Sequence, residues 1–248
     1  MNVKVKKMVG NFLASRGYML KRARRDGLPL DFTDRESELV NRVRPYTMTR
    51  EERIVGLQRA VRYVCSNSIP GDFVECGVWK GGSSMVAAIE FQACGDLRDL
   101  YLLDSYDLPI PPPLDIDTDL DGTKIFGGVT EEVPYWQCVT DTEVEKNLLS
   151  TGYPKERLRI IKGLVTNTVP AECPEKISIL RLDTDTYEST KLELEHLYPR
   201  LVEKGVLVLD DYGTHGGVRS AVDEYFKSVG TFPLITRVDT AGALAIKV

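Results

Sequence analysis

Asp72-Phe73-Val74-Glu75-Cys76-Gly77-Val78-Trp79-Lys80-Gly81-Gly82-Ser83 runs from a short apolar stretch, through a turn broken by three glycines, into small and apolar residues spaced for a helix. A strand that passes through glycines into a helix is where an open α/β sheet binds a nucleotide-like ligand, because a missing Cβ lets the backbone approach it closely. The spacing is neither G-x-G-x-x-G nor G-x-x-x-x-G-K-[ST], which argues against NAD and ATP. Glu75 at the strand end disfavours a pyrophosphate and suits the cationic methionine end of S-adenosylmethionine.

On both sides of this stretch, apolar runs alternate with helical ones. A helix is expected from Thr49 to Cys65, with Thr49 as its N-cap, Glu51 and Glu52 in the first turn, and Ile54, Leu57, Val61 and Val64 at three- and four-residue spacing. Strands are expected at Asp72–Gly77, Leu100–Asp104, Leu158–Lys162, Ile177–Asp183 and Val206–Asp210. Helices fall between and after them at Ser83–Ala93, Thr142–Ser150, Ser189–Leu201 and Gly217–Ser228. Such alternation predicts a doubly wound, mostly parallel α/β sheet. Leu234–Val238 and Ala243–Val248, joined by Asp239-Thr240-Ala241-Gly242, complete seven strands with a C-terminal antiparallel hairpin. The proline-rich, then acid-rich segment from Asp107 to Trp136 is too long for a simple connection and reads as a substrate lid.

Composition places these elements in one catalytic domain, residues 49–248, preceded by an arm and helical segment at 1–48. The 248 residues are 42% hydrophobic and 28% charged, with no linker-like tract. No run approaches a membrane span and no secretory leader is evident, so a cytoplasmic protein without membrane contact is expected. The five cysteines lack C-x-x-C spacing and there are two histidines, which disfavours a zinc site. Residues 1–25 carry eight Lys/Arg and no acid, within a chain of net charge −5. This arm reads as a solvated helix packing Val3, Phe12, Leu13 and Leu20 on a neighbouring subunit in preference to nucleic acid.

Chemistry is carried by acids at the expected strand ends. Asp104 closes the second strand, where nucleoside-binding α/β proteins place an acceptor for ribose hydroxyls. Leu182-Asp183-Thr184-Asp185-Thr186-Tyr187 and Leu209-Asp210-Asp211-Tyr212 end the fourth and fifth strands. Neighbouring strand ends lie about 4.8 Å apart, so Asp183, Asp210 and Asp211 repel one another unless positive charge lies between them. A hard divalent cation, Mg²⁺ by default, answers that need and lowers the pKa of a substrate hydroxyl. Asp185, one strand period beyond Asp183, reaches the same cavity if the chain stays extended, and is the preferred general base; His215 is its rival. Weaker signals are Lys162-Gly163 near an adenine, and Trp79 and Trp136 as pocket walls; His196 is given no role.

Taken together, the chain resembles the macrocin O-methyltransferase family (TylF/MycF type) of Rossmann-like class I methyltransferases. The resemblance rests on Tyr46-Thr47-Met48-Thr49, Gly71 to Trp79, Thr151-Gly152-Tyr153-Pro154, Leu182 to Thr190, Asp210-Asp211-Tyr212-Gly213 and Ala221 to Phe226. It implies a Mg²⁺ site at Asp183, Asp210 and Asp211, a base at Asp185, and cofactor contacts from Thr47, Met48, Glu75, Gly77, Ser83, Asp104 and Ser105. It also implies a homo-oligomer and a small-molecule hydroxyl acceptor, a sugar on a natural product. A catechol or phenol methyltransferase is the alternative enzyme, and a non-catalytic binding protein the alternative of another class.

Overall fold

In the computed structural model, residues 3–16, 26–125, 139–169 and 171–248 are described. They divide into two compact units, 1–38 and 39–248. The first holds helix α1 (Val3–Ala14) and the start of α2 (Asp34–Val43). A reciprocal cap opens α2: the Glu36 N–H donates to Thr33 Oγ1, and the Thr33 N–H donates to Glu36 Oε2 at 2.8 Å.

In the second unit five parallel strands form as the sequence predicts: β1 (Asp72–Cys76), β2 (Leu100–Asp104), β3 (Leu158–Lys162), β4 (Ile177–Leu182) and β5 (Leu201–Leu209). The hairpin β6 (Thr236–Arg237) and β7 (Ala243–Ile246) adds the antiparallel edge, giving the order β3-β2-β1-β4-β5-β7-β6. Every residue of β4 is buried, as expected of a central strand covered on both faces. The strand order reverses between β1 and β4, so their carboxyl ends open the crevice that receives ligands in such sheets.

The helices that cover the sheet are α3 (Glu51–Ser66), α4 (Gly82–Cys94), α5 (Asp141–Leu149), α6 (Val165–Thr168), α7 (Tyr187–Leu197) and α8 (Gly216–Val229). Against β4 and β5, one core layer gathers Leu180, Leu182, Leu194, Leu197, Leu207 and Phe226. Among the described residues no helix is long and apolar enough to cross a membrane.

Several boundaries differ from the sequence expectation, among them the hairpin strand β6, which shortens from the expected Leu234–Val238 to Thr236–Arg237. Helix α3 begins one turn position later, with Arg50 at the N-cap, because the Thr49 hydroxyl accepts instead from Arg181 Nη2 at 3.3 Å. Helix α7 stops at Leu197 and β5 starts at Leu201, earlier than the predicted Val206. Here Val202 to Gly205 form a bulged entry, with Lys204 at φ +65°, whose polar sequence resembles a turn. The short helix α6 was not anticipated; four residues carry too little periodicity to announce it.

Candidate active site

Two glycines shape the crevice. Gly77, at φ +81°, leaves β1 so close to β4 that a Cβ there would lie 1.9 Å from the Asp183 carbonyl oxygen. Gly82, in the first turn of α4, leaves room for the Tyr46 carbonyl at 2.5 Å from the same hypothetical atom. Close packing at these points brings Thr47 and Met48 to the glycine turn. Beside that turn opens a cavity of about 690 Å³, lined among others by Thr47, Met48, Gly77, Ser83, Asp104, Ser105, Asp183, Asp185, Asp210 and Asp211.

Asp104 ties the turn to β2. Its Oδ2 accepts from the Val78 and Trp79 N–H groups at 2.6 and 2.9 Å, and its Oδ1 from the Tyr106 N–H at 2.8 Å. The carboxylate is half-buried, accepts also from the Ser105 hydroxyl at 3.4 Å, and lines the cavity. Trp79 also lines the cavity, at φ +47°, and its indole N–H is buried without a partner among the described residues. Leu164, Val165 and Thr166, leading into α6, form a further wall.

The expected carboxylates converge. Oxygens of Asp183, Asp210 and Asp211 lie within 4.8 Å of one another, and so do ligand atoms of Asp185, Asp211 and His215. Asp185 arrives by a different route from the one predicted. The chain is not extended there: Asp185 sits at φ +65°, and the Thr186 N–H donates across it to the Thr184 carbonyl at 2.8 Å. A tight turn, not strand alternation, aims this acid into the cavity. His215 stands at the N-cap of α8, with Nδ1 3.1 Å from Thr214 Oγ1 and 3.4 Å from Asp119 Oδ1.

The countercharge within the protein is two arginines that sequence reasoning missed. Arg181, the penultimate residue of β4, is 3% exposed; its guanidinium reaches Glu75 Oε1 at 2.7 Å, Asp183 Oδ2 at 2.8 Å and Asp210 Oδ1 at 2.7 Å. Arg53, on α3, pairs with the other oxygen of Asp210 and with Asp239. The signal was present as an arginine inside an otherwise apolar strand, a residue type that is almost never buried unless paired. Burial opposes its charge, but Asp183, Asp210 and Glu75 hold the Arg181 pKa well raised.

Glu75 does not line the cavity. It is sealed beneath it, bonded to Arg181 and to the Ser84 hydroxyl, and burial pushes its carboxyl up to about 7 against the pull of Arg181. The geometry thus places the strand-end acid behind the cation that braces Asp183 and Asp210. Two guanidinium charges leave the cluster with an excess of carboxylates. Burial and then the neighbouring acids raise the pKa values of Asp183, Asp185 and Asp211.

The described part of the lid, 107–125, is pinned to the site. Asp117, 1% exposed, accepts from the Tyr187 N–H at 2.7 Å and the Leu114 N–H at 2.8 Å. Thr118 and Leu120 pair with the loop ahead of α8 through Gly216 N–H to Thr118 O and Leu120 N–H to Thr214 O. Ile110 and Pro111 reach the cavity wall. Residues 126–138, with Trp136, lie outside the described residues. Lys162 is engaged by Asp107 and Asp141 and does not line the cavity.

Comparison with known proteins adds a family. The macrocin-O-methyltransferase family (TylF) matches residues 8–246. The chain is 31% identical over 225 residues to the 8-demethyl-8-(2,3-dimethoxy-alpha-L-rhamnosyl)-tetracenomycin-C 4'-O-methyltransferase of Streptomyces olivaceus, covering 88% of this chain and 81% of that one. It is 31% identical over 199 residues to the mycinamicin III 3''-O-methyltransferase of Micromonospora griseorubida, covering 79% and 76%. Among solved structures, the O-methyltransferase NovP superposes with a TM-score of 0.68 at 26% identity, covering 97% of each chain.

Proposed function

The chain belongs to the macrocin O-methyltransferase family and is an S-adenosylmethionine-dependent O-methyltransferase; from that premise we propose that it methylates a sugar hydroxyl on a glycosylated natural product with the help of Mg²⁺. The observation that carries this reading is the convergence of Asp183, Asp185, Asp210 and Asp211 on the cavity that Asp104 and the glycine turn also line. A relative named for a rhamnosyl position favours the sugar over a phenol.

In this reading Thr47, Met48, Gly77 and Ser83 would hold the methionine end of the cofactor, Asp104 and Ser105 its ribose, and Leu164 to Thr166 its base. Glu75 acts one layer back, by fixing Arg181. A sulfonium cation is favoured by the acidic lining.

The donor set fits a hard cation: three aspartates offer oxygens within 4.8 Å, and their charge exceeds what Arg53 and Arg181 neutralise. Asp183, Asp210 and Asp211 would hold Mg²⁺, which when bound acts as a Lewis acid that lowers the pKa of the acceptor hydroxyl. Asp185 would take the proton of the acceptor hydroxyl as the methyl group passes to that oxygen from the sulfonium, which would leave as a neutral thioether. His215, hydrogen-bonded within the loop, orients Asp211 and the lid segment at Asp119. The lid excludes water and orients the sugar. The N-terminal arm and an oligomeric assembly belong to the same proposal.

Calorimetric titration with S-adenosylmethionine, with Mg²⁺ and after chelation, tests the assignment. Asp104→Ala is expected to lose cofactor binding while keeping the Mg²⁺ response, and Asp210→Asn the reverse. Loss of both responses in both variants would contradict separate cofactor and cation subsites.

A further inference from the structure

Beneath the tight turn that presents Asp183 and Asp185 lies a carboxyl to which the reaction gives no role. Glu193, on α7, is wholly buried, and its Oε1 accepts from Thr184 Oγ1 at 2.9 Å. Its Oε2 is buried with no hydrogen-bond partner among the described residues. The buried acids Glu75, Glu90 and Asp210 each meet a guanidinium, whereas no cation lies within ion-pair distance of Glu193 among the described residues. A half-satisfied buried acid is costly, so its place calls for a reason.

The reason is on the other side of Thr184. That residue stands between Asp183 and Asp185, and its carbonyl closes the turn around Asp185 by accepting from the Thr186 N–H. Its hydroxyl has one proton to give and stands within donating distance of Glu193 Oε1, at 2.9 Å, and of Ser189 Oγ, at 2.8 Å. Ser189 in turn contacts Thr186 Oγ1 at 2.6 Å and the Thr186 carbonyl at 3.1 Å. Both ends of the three-residue turn are therefore fastened to α7, and Asp185 is held at a positive φ that a non-glycine residue seldom keeps unaided.

We propose that Glu193 is a positioning residue: acting through the Thr184 hydroxyl, it locks the Thr184–Thr186 turn and so sets where the Asp183 and Asp185 carboxylates stand. The inference rests on the proposed reading that these carboxylates face a cation and a reacting hydroxyl. Acceptance of a hydrogen bond, not negative charge, is what the turn requires. Burial, which pushes the Glu193 carboxyl up to about 8, is compatible with that requirement.

Two readouts on the full-length protein test it: Mg²⁺ affinity by calorimetry with the metal alone, and hydrogen exchange of the Thr186 amide by NMR, referenced to the Asp183 amide. Glu193→Gln, which keeps the acceptor, is expected to match wild type in both. Glu193→Met and Thr184→Val are expected to weaken Mg²⁺ binding about 10- to 100-fold and to lose Thr186 protection while Asp183 stays protected. Thr184→Ser is expected to restore both. If Glu193→Met should fail to fold, Thr184→Val carries the test.

Wild-type behaviour in Glu193→Met or Thr184→Val overturns the proposal. So does an equal loss in Glu193→Gln and Glu193→Met, which would make Glu193 a source of charge only. If wild-type protein binds no Mg²⁺, the metal part of the proposed function fails, and the Thr186 amide alone decides whether Glu193 holds the turn.

Discussion

Arg181 Nη2 stands 2.7 Å from Asp210 Oδ1, a buried ion pair that links the fourth strand to the acid at the end of the fifth. The same guanidinium holds Asp183 and Glu75, so the cation is shared by three acids. Removing one partner of such a buried pair leaves the others uncompensated. Arg181→Met is expected to cost about 3–5 kcal/mol of stability, read as a lowered urea midpoint. Stability within 1 kcal/mol of wild type would contradict the bracing role.

Glu193 sets a second expectation through pH. Burial raises its pKa from 4.5 to about 8, against the hydrogen bond from Thr184. Between those values the folded protein keeps a proton that the unfolded chain has released, so this group's contribution falls as pH rises from about 4.5 to about 8. Glu193→Gln is expected to gain on wild type progressively across that window in urea midpoints. A constant offset at every pH would contradict the assignment.

The carboxylate cluster gives a third. Burial, followed by mutual repulsion, raises the pKa values of Asp183 and Asp211, so protons compete with a cation for them. Mg²⁺ is expected to raise the melting temperature more at pH 7.5 than at pH 5.5, with about 2.7 kcal/mol of stabilisation at a hundredfold excess over its Kd. Asp211→Asn is expected to abolish most of the response. A Mg²⁺ effect that is unchanged by pH and by this substitution would place the ion elsewhere.

Backbone approach gives the fourth. A methyl group on Gly77 would meet the Asp183 carbonyl at 1.9 Å, while one on Gly95, also at positive φ, would meet nothing within 4 Å. Gly95→Ala is therefore expected to cost only the conformational penalty of about 1–2 kcal/mol. Gly77→Ala must part β1 from β4 and is expected to yield insoluble protein or a far larger fall in thermal midpoint. Equal effects would contradict the close contact at the switch point.

Most of the fold was legible because its signals are local. Leu100–Asp104 and Leu158–Lys162 are strands over the residues predicted, since apolar runs bounded by turn residues leave little choice of boundary. The convergence of Asp183, Asp210 and Asp211 was legible for the same reason: Asp183 and Asp210 follow directly on strands, Asp211 comes next, and adjacent strand ends bring them together. What depended on partners distant in sequence was not legible. Thr49 looks like a helix cap, but Arg181 claims its hydroxyl. The bonds of Glu75 to Arg181 and Ser84, which set it outside the cavity lining, also join residues distant in sequence. Asp185 reached the cavity through a left-handed turn that strand periodicity cannot describe.

The most direct test of the account is transfer of label from methyl-labelled S-adenosylmethionine to a panel of glycosylated acceptors, in the presence of Mg²⁺, with EDTA, and with Asp185→Asn. The account predicts a labelled methyl ether that disappears with EDTA, returns with Mg²⁺, and is lost in Asp185→Asn while cofactor binding persists. Transfer that proceeds undiminished in EDTA and in Asp185→Asn would contradict it.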